Sequence, residues 1–210
     1  EKFFFEQSIS LRKFMVFLYA SSLINQHVCV IGPPGIGKTL CSRTFSLIRE
    51  IILGREYLSP FYMHTYNEYT MPSDYYGISS LKDDKLIFKD GTLTKSLKQG
   101  NVFIGDEFNI SSDDCMKSII PALELNFCKK IIIPGIEDKI KIDPDFFLIL
   151  CQNTTETFGR KELPEKIKIK IKTIYYPESG QEEIENICES MYNDIKIEKK
   201  INKENARLCG

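Results

Sequence analysis

The sequence predicts an α/β domain, and three stretches carry that prediction. Each is a short apolar run that stops at small or polar residues: HVCVI before Gly32-Pro33-Pro34-Gly35, NVFIG before Asp106 and Glu107, and DFFLILC before Gln152 and Asn153. Segments of helical spacing lie between them, and strands alternating with helices are the pattern of a largely parallel sheet.

From Ser10 to Asn25, Leu11, Phe14, Met15, Leu18 and Leu23 fall near a 3.6-residue period, which predicts a helix packed on the core. Val28–Ile31 is the first buried strand. The residues after it fill G-x-x-x-x-G-K-[ST] with Gly32, Gly37, Lys38 and Thr39. Glycines lack the Cβ that blocks close backbone approach, so successive N–H groups can turn inward as an anion-binding nest. Lys38 is placed to reach outer phosphates, and Thr39 to offer a hydroxyl to Mg²⁺. The helix Leu40–Leu53 then aims its positive end at the same phosphates, and Gly54 ends it.

The next strand is predicted at Phe61–Tyr66, with His64 a packed strand residue rather than a metal ligand. Tyr69–Leu81 has the composition of a loop, Leu86–Gly91 of a short strand and turn, and Thr92–Gln99 of a helix closed by Gly100. The strand that follows ends at Asp106 and Glu107. Beside a phosphate loop, the first carboxylate can help hold Mg²⁺ and the second can deprotonate an attacking water. Ser111 or Ser112 can cap a helix running to about Asn126, with Pro121 arguing for a break and Asp113 and Asp114 complementing the helix dipole. Lys130–Ile142 predicts a hairpin turning near Pro134 and Gly135, and Asp145–Cys151 another buried strand. The amides of Gln152 and Asn153 are either strand-end turn formers or groups that reach a phosphate. In KIKIKIKTIYY, the alternation of Ile167, Ile169 and Ile171 with Lys166, Lys168, Lys170 and Lys172 predicts an extended strand with a solvated lysine face, part of which a helical turn can replace. Ser179–Ile187 suits a helix start.

A chain of 210 residues can bury one sizeable core and the start of a second small unit. The net charge of −1 provides no overall pull toward nucleic acid or a membrane surface. The 7 cysteines are odd in number and mostly sit in apolar runs, as reduced thiols do, so a nuclear or cytoplasmic location is expected. There is no C-x-x-C pair, and His27 and His64 lie far apart, which argues against a structural zinc site. No run approaches the roughly 20 apolar residues that a membrane span needs. The chain begins at Glu1 and ends in a charged tail, so it is expected to be a piece excised from a longer protein.

In this order the motifs resemble those of the AAA+ ATPases, specifically the dynein-related branch that includes midasin and MoxR-like proteins. The resemblance runs from about Leu11 to Glu185. GPPGIGKT is similar to the Walker A loop, FIGDEFN to the Walker B strand and LILCQNTTETFGRKEL to the sensor-1 region, with TMPSDYYG and the following hairpin also in the branch's pattern. The resemblance implies a three-layer αβα sandwich on a mainly parallel five-stranded sheet. Residues 1–178 would form the core with its N-terminal packing helix, and 179–210 the start of a helical lid. It further implies that Gly32, Pro33, Pro34, Gly35, Ile36, Gly37, Lys38, Thr39 and Leu40 bind ATP, that Thr39 and Asp106 hold Mg²⁺, that Glu107 activates water and that Asn153 is sensor 1.

One segment departs from the family. Relatives carry an arginine finger after sensor 1 that reaches a neighbouring module's ATP, whereas here the stretch holds Lys168 and Lys170, and Arg160 is the one arginine nearby. Lysine keeps the charge but loses the planar fork. Either the module leaves its neighbour's site incomplete, or Arg160 or Lys170 serves it imperfectly. The implied function is ATP hydrolysis by one module of a ring, in the same chain or between subunits, remodelling a protein or ribonucleoprotein. The alternatives are a structural nucleotide-binding module with little turnover, and a DNA-acting subunit that the near-neutral charge does not favour. With most of the lid absent, the piece alone is expected to be a poor ATPase.

Overall fold

The computed structural model describes residues 9–55, 61–124, 130–132, 140–155 and 159–176. The chain divides into two compact units. One is Phe17–Tyr176; the other combines Glu1–Val16 with Pro177–Gly210 and is described over 9–16, the start of a helix. The expected lid at 179–210 and the helix start at Ser179 lie outside the described residues.

Helix α1 (Ile9–Leu23) buries Leu18, but Leu23 is 64% exposed, against the predicted apolar face; Ser21 and Ser22 are buried in its last turn instead. Strand β1 (Val28–Ile31) leads through the glycine-rich loop into α2 (Lys38–Ile52). Gly54, at φ +65°, ends α2, where the Arg55 N–H returns to the Glu50 carbonyl. Strand β2 (Phe61–Thr65) follows. The stretch expected to be a loop instead forms α3 (Pro72–Tyr76) and β3 (Gly77–Lys82). Pro72 suits a first helical position, and the Asp74 carboxylate accepts from the Met71 N–H at 2.8 Å, which starts the short helix. Strand β4 (Lys85–Asp90) pairs antiparallel with β3 across Asp83 and Asp84, both at positive φ, which matches a tight hairpin turn. At the hairpin's base a Cβ on Gly77 would run into the Lys89 carbonyl, so only glycine fits.

Helix α4 (Thr92–Gln99), closed by Gly100, precedes β5 (Val102–Asp106) and a 3₁₀ turn at Phe108–Ile110. The helix predicted through Asn126 is two pieces, α5 (Asp113–Ser118) and α6 (Ile120–Leu123), broken ahead of Pro121. The Cys115 N–H donates to the Ser112 hydroxyl at 3.2 Å, so Ser112 is the cap. Strands β6 (Lys130–Ile131) and β7 (Ile140–Lys141) form the antiparallel pair expected there, while the turn at Pro134 and Gly135 lies outside the described residues. Strand β8 (Phe147–Gln152) is fully buried from Phe147 to Cys151.

The lysine-isoleucine alternation is not one strand. It divides into α7 (Glu165–Lys168) and β9 (Lys172–Tyr175). Ile167 and Ile171 are buried while Ile169 is 79% exposed, the outcome of a helical turn in which positions four apart share a face. Pro164, at ψ 139°, starts that turn.

The main sheet has five parallel strands in the order β2-β5-β8-β1-β9. The chain crosses it one way from β1 through α2 to β2 and returns through α4 to β5. Right-handed crossovers in opposite directions put α2 and α4 on opposite faces, giving an αβα sandwich. Arg49 of α2 donates to the Asp145 carbonyl at 2.5 Å and Arg55 pairs with the Asp145 carboxylate, so the far end of α2 is tied to the start of β8. Cys29, Cys41, Cys115 and Cys151 are buried, and burial pushes the Cys41 and Cys151 thiols up to about 12. Among the described residues no helix is long and apolar enough to cross a membrane.

His27, just before β1, accepts the Leu148 N–H at its Nδ1, and burial pushes its pKa down to about 4 from 6.5. Between those values the unfolded chain binds a proton that the folded chain refuses, so stability falls as pH drops from 6.5 toward 4, by about 3 kcal/mol when complete. Thermal melts from pH 8 to pH 4 are expected to show this slope, flattened in His27→Gln; His64, also shifted down by burial, leaves a smaller residual slope.

Candidate functional site

In an open parallel sheet, ligands sit beyond the carboxyl ends of strands where the connections diverge. Strand β8 lies between β5 and β1, and Ile149 pairs with both Ile104 and Val28. That register brings the glycine-rich loop after Ile31, Asp106 at the end of β5, and Gln152 and Asn153 at the end of β8 to one edge of the sheet. The three motifs seen separately in the sequence are one site.

The loop is anchored to β8 by the Gly32 N–H, which donates to the Gln152 carbonyl at 3.3 Å. Gly37, at φ +91°, makes the left-handed turn that starts α2, a conformation that side chains disfavour. Pro33, Pro34 and Gly35 are exposed along the loop, Leu40 is 52% exposed, and Ile36 is partly covered. Lys38 is 7% exposed and folds back over the loop. Its ammonium donates to the carbonyls of Gly32 (2.9 Å) and Pro33 (2.7 Å) and to Asn153 Oδ1 (2.9 Å), which uses all three of its protons. Burial draws its pKa below the ordinary lysine value, with Cys151, Glu107 and Asp106 opposing.

Thr39 donates its hydroxyl to Asp106 Oδ2 at 2.8 Å, and Asp106 Oδ1 accepts the Glu107 N–H at 3.0 Å. Two hard oxygen donors side by side, next to a loop built for phosphate, fit Mg²⁺, which takes few protein ligands and fills its shell with phosphate and water. Glu107 is a non-glycine residue at φ 57°, ψ 33°, a left-handed conformation costing on the order of 1 kcal/mol. Its carboxylate accepts from Asn153 Nδ2 at 3.0 and 3.1 Å and pairs with Arg160 Nη2 at 2.7 Å. Asn153 thus stands between Lys38 and Glu107, holding one with its oxygen and the other with its nitrogen.

Of the residues picked from the sequence, Lys38, Thr39, Asp106, Glu107, Asn153 and Arg160 form this connected group. Lys170 does not join it: its ammonium pairs with Glu124 at 2.9 Å. Arg160, considered as a finger toward a neighbouring module, is instead engaged with a carboxylate of its own chain. Sequence reading missed Asn109. Fully buried in the 3₁₀ turn, its side-chain amide donates to the Asn153 carbonyl at 3.0 Å, and its own carbonyl accepts the Lys161 N–H at 3.0 Å. The signal for it was a polar residue between Phe108 and Ile110, directly after the two carboxylates.

The family profile of the AAA domain, dynein-related subfamily, matches residues 27–168. Over 183 residues the chain is 27% identical to midasin of Giardia intestinalis, covering 85% of this chain and 4% of that protein. Over 124 residues it is 25% identical to midasin of Dictyostelium discoideum, covering 58% of this chain and 2% of that protein. The chain therefore spans a small fraction of the length of these relatives. A crystal structure of a candidate ATPase from Cytophaga hutchinsonii superposes with a TM-score of 0.62 at 21% identity, over 87% of this chain and 51% of the other, a likeness of fold.

Because the Lys38 ammonium is buried and held over the loop by backbone carbonyls, Lys38→Ala is expected to weaken binding of a fluorescent ADP analogue about tenfold or more. Fluorescence titration of the folded variant against the parent measures this.

Proposed function

Since the chain belongs to the AAA domains of the dynein-related subfamily, we propose that it binds ATP with Mg²⁺ and hydrolyses it as one module of a ring-forming remodelling protein. The observation that carries this reading is the convergence of Lys38, the Thr39–Asp106 pair and the Glu107–Asn153 pair at the ends of three adjacent strands.

The glycine-rich loop, residues 32–40, holds the phosphates through its N–H groups, aided by the N-terminus of α2. Lys38 exchanges its loop carbonyls for phosphate oxygens. Thr39 and Asp106 hold the metal, which when bound draws electron density from the phosphates. Glu107 accepts a proton from the attacking water, and Asn153 orients that water or the terminal phosphate between the base and Lys38. Neighbouring AAA modules, in the same chain or another subunit, complete the ring. A protein or ribonucleoprotein is the substrate, and the setting is the nucleus or cytoplasm.

A second reading, a module that holds nucleotide as a structural element, is favoured by one observation: the Glu107 carboxylate is already occupied by Asn153 and Arg160. Glu107→Gln separates the two. In the full-length protein with its neighbouring modules, ATPase reading requires turnover to fall about a hundredfold or more while nucleotide affinity holds. Turnover equal to the parent's rejects Glu107 as the base. Asp106→Asn is expected to reduce the gain in ATP affinity that Mg²⁺ provides by about tenfold or more, measured as affinity with Mg²⁺ against affinity in excess chelator.

A further inference from the structure

We propose that Arg160 is a positioning residue that latches Glu107 of its own chain, in competition with the γ-phosphate of ATP. This rests on the ATPase reading above.

The Arg160 side chain is 12% exposed and turned inward, with Nη2 at 2.7 Å from Glu107 Oε2. An arginine serving a neighbouring site has to project from its own module; this one is committed within it. Its place is fixed by backbone as well as charge, since the next residue, Lys161, donates its N–H to the carbonyl of Asn109 in the turn that follows Glu107. Arg160 and Glu107 are thus held on neighbouring segments, and the left-handed backbone of Glu107 presents its carboxylate to them.

The pair is the end of a chain of bonds that reaches the phosphate loop. Arg160 holds Glu107, Glu107 accepts from Asn153 Nδ2, and Asn153 Oδ1 accepts from Lys38. A γ-phosphate needs Lys38 and Asn153 for itself. To donate to it, the Asn153 amide must give up Glu107, and a carboxylate pinned by a charge-assisted bond opposes that exchange. The diphosphate of ADP reaches Lys38 and the loop without claiming Asn153. The latch therefore discriminates between the two nucleotides and keeps the base out of service until a third phosphate arrives. Release is eased because Arg160 Nε and Nη1 are buried without a partner among the described residues, so one bond, rather than a filled fork, holds the cation.

By linkage, whatever stabilises the resting arrangement against the ATP-bound one lowers ATP affinity by the same factor. The test compares parent, Arg160→Gln and Arg160→Lys in the full chain by titration with a non-hydrolysable ATP analogue and with ADP, both with Mg²⁺. The ratio of analogue affinity to ADP affinity is expected to rise about three- to tenfold in Arg160→Gln and to stay within about twofold of the parent in Arg160→Lys, which keeps the charge. In a Glu107→Gln background the effect of Arg160→Gln is expected to vanish. General damage to the fold lowers both affinities and leaves the ratio unmoved. An unchanged ratio in folded Arg160→Gln overturns the latch, and a falling ratio overturns it by showing that the guanidinium contacts the γ-phosphate. Absence of nucleotide binding by the parent defeats the ATPase reading itself, a result distinct from either.

Discussion

Everything at the site depends on β8 being wedged in register between β5 and β1. Ile149 is the shared rung, paired with Ile104 on one side and Val28 on the other. Counting forward from that rung, the three strands run out within about one residue of each other, so the loop, the carboxylates and the amide finish side by side. A slip of one residue along β5 would carry Asp106 about 3.3 Å away and turn it to the other face. Such a slip is opposed because Phe147–Cys151 are wholly buried in the core. The apolar strand sequences thus set the chemistry by setting the register, and the polar residues need only follow at the right places.

With that geometry in place, the charged groups of the site pair with their own neighbours. The Lys38 ammonium is spent on two loop carbonyls and an amide, Thr39 on Asp106, and Glu107 on Asn153 and Arg160. A buried ammonium or carboxylate without partners would cost several kcal/mol, and here the folded chain provides those partners itself. The consequence is that ligand binding is an exchange of hydrogen bonds rather than a filling of empty ones. Affinity then reports the difference between phosphate and internal partners, and small changes in the internal set can alter it.

Much of this was legible in the sequence because it is local. The strand, glycine loop and helix at 28–52, the acidic strand end at Asp106, and Gly100 closing a helix follow from residue type and spacing within short windows. The misreadings have physical causes. A period-two alternation also places apolar residues at i and i+4, so KIKIKIK satisfies a helical turn as well as a strand, and Pro164 with the burial of Ile167 and Ile171 decides for the turn. Tyr69–Leu81 has loop composition, and β3 exists there because β4 supplies its hydrogen bonds. Arg160 meeting Glu107, and Asn109 supporting Asn153, are tertiary facts: no local pattern says which distant carboxylate an arginine will find.

The lysines that follow α7 take on a further meaning from the position of β9. Among the described residues this strand is the outer edge of the sheet, paired only with β1, and Lys172 at its start is exposed. An open edge offers unpaired backbone groups to any other extended chain, including the edge of an identical sheet. Adding a strand beside Lys172 would strip water from a strongly hydrated ammonium and set it against whatever charge the newcomer carried. Lys172, one of the residues first noticed for their regular alternation, therefore weighs against the addition of another sheet at this edge.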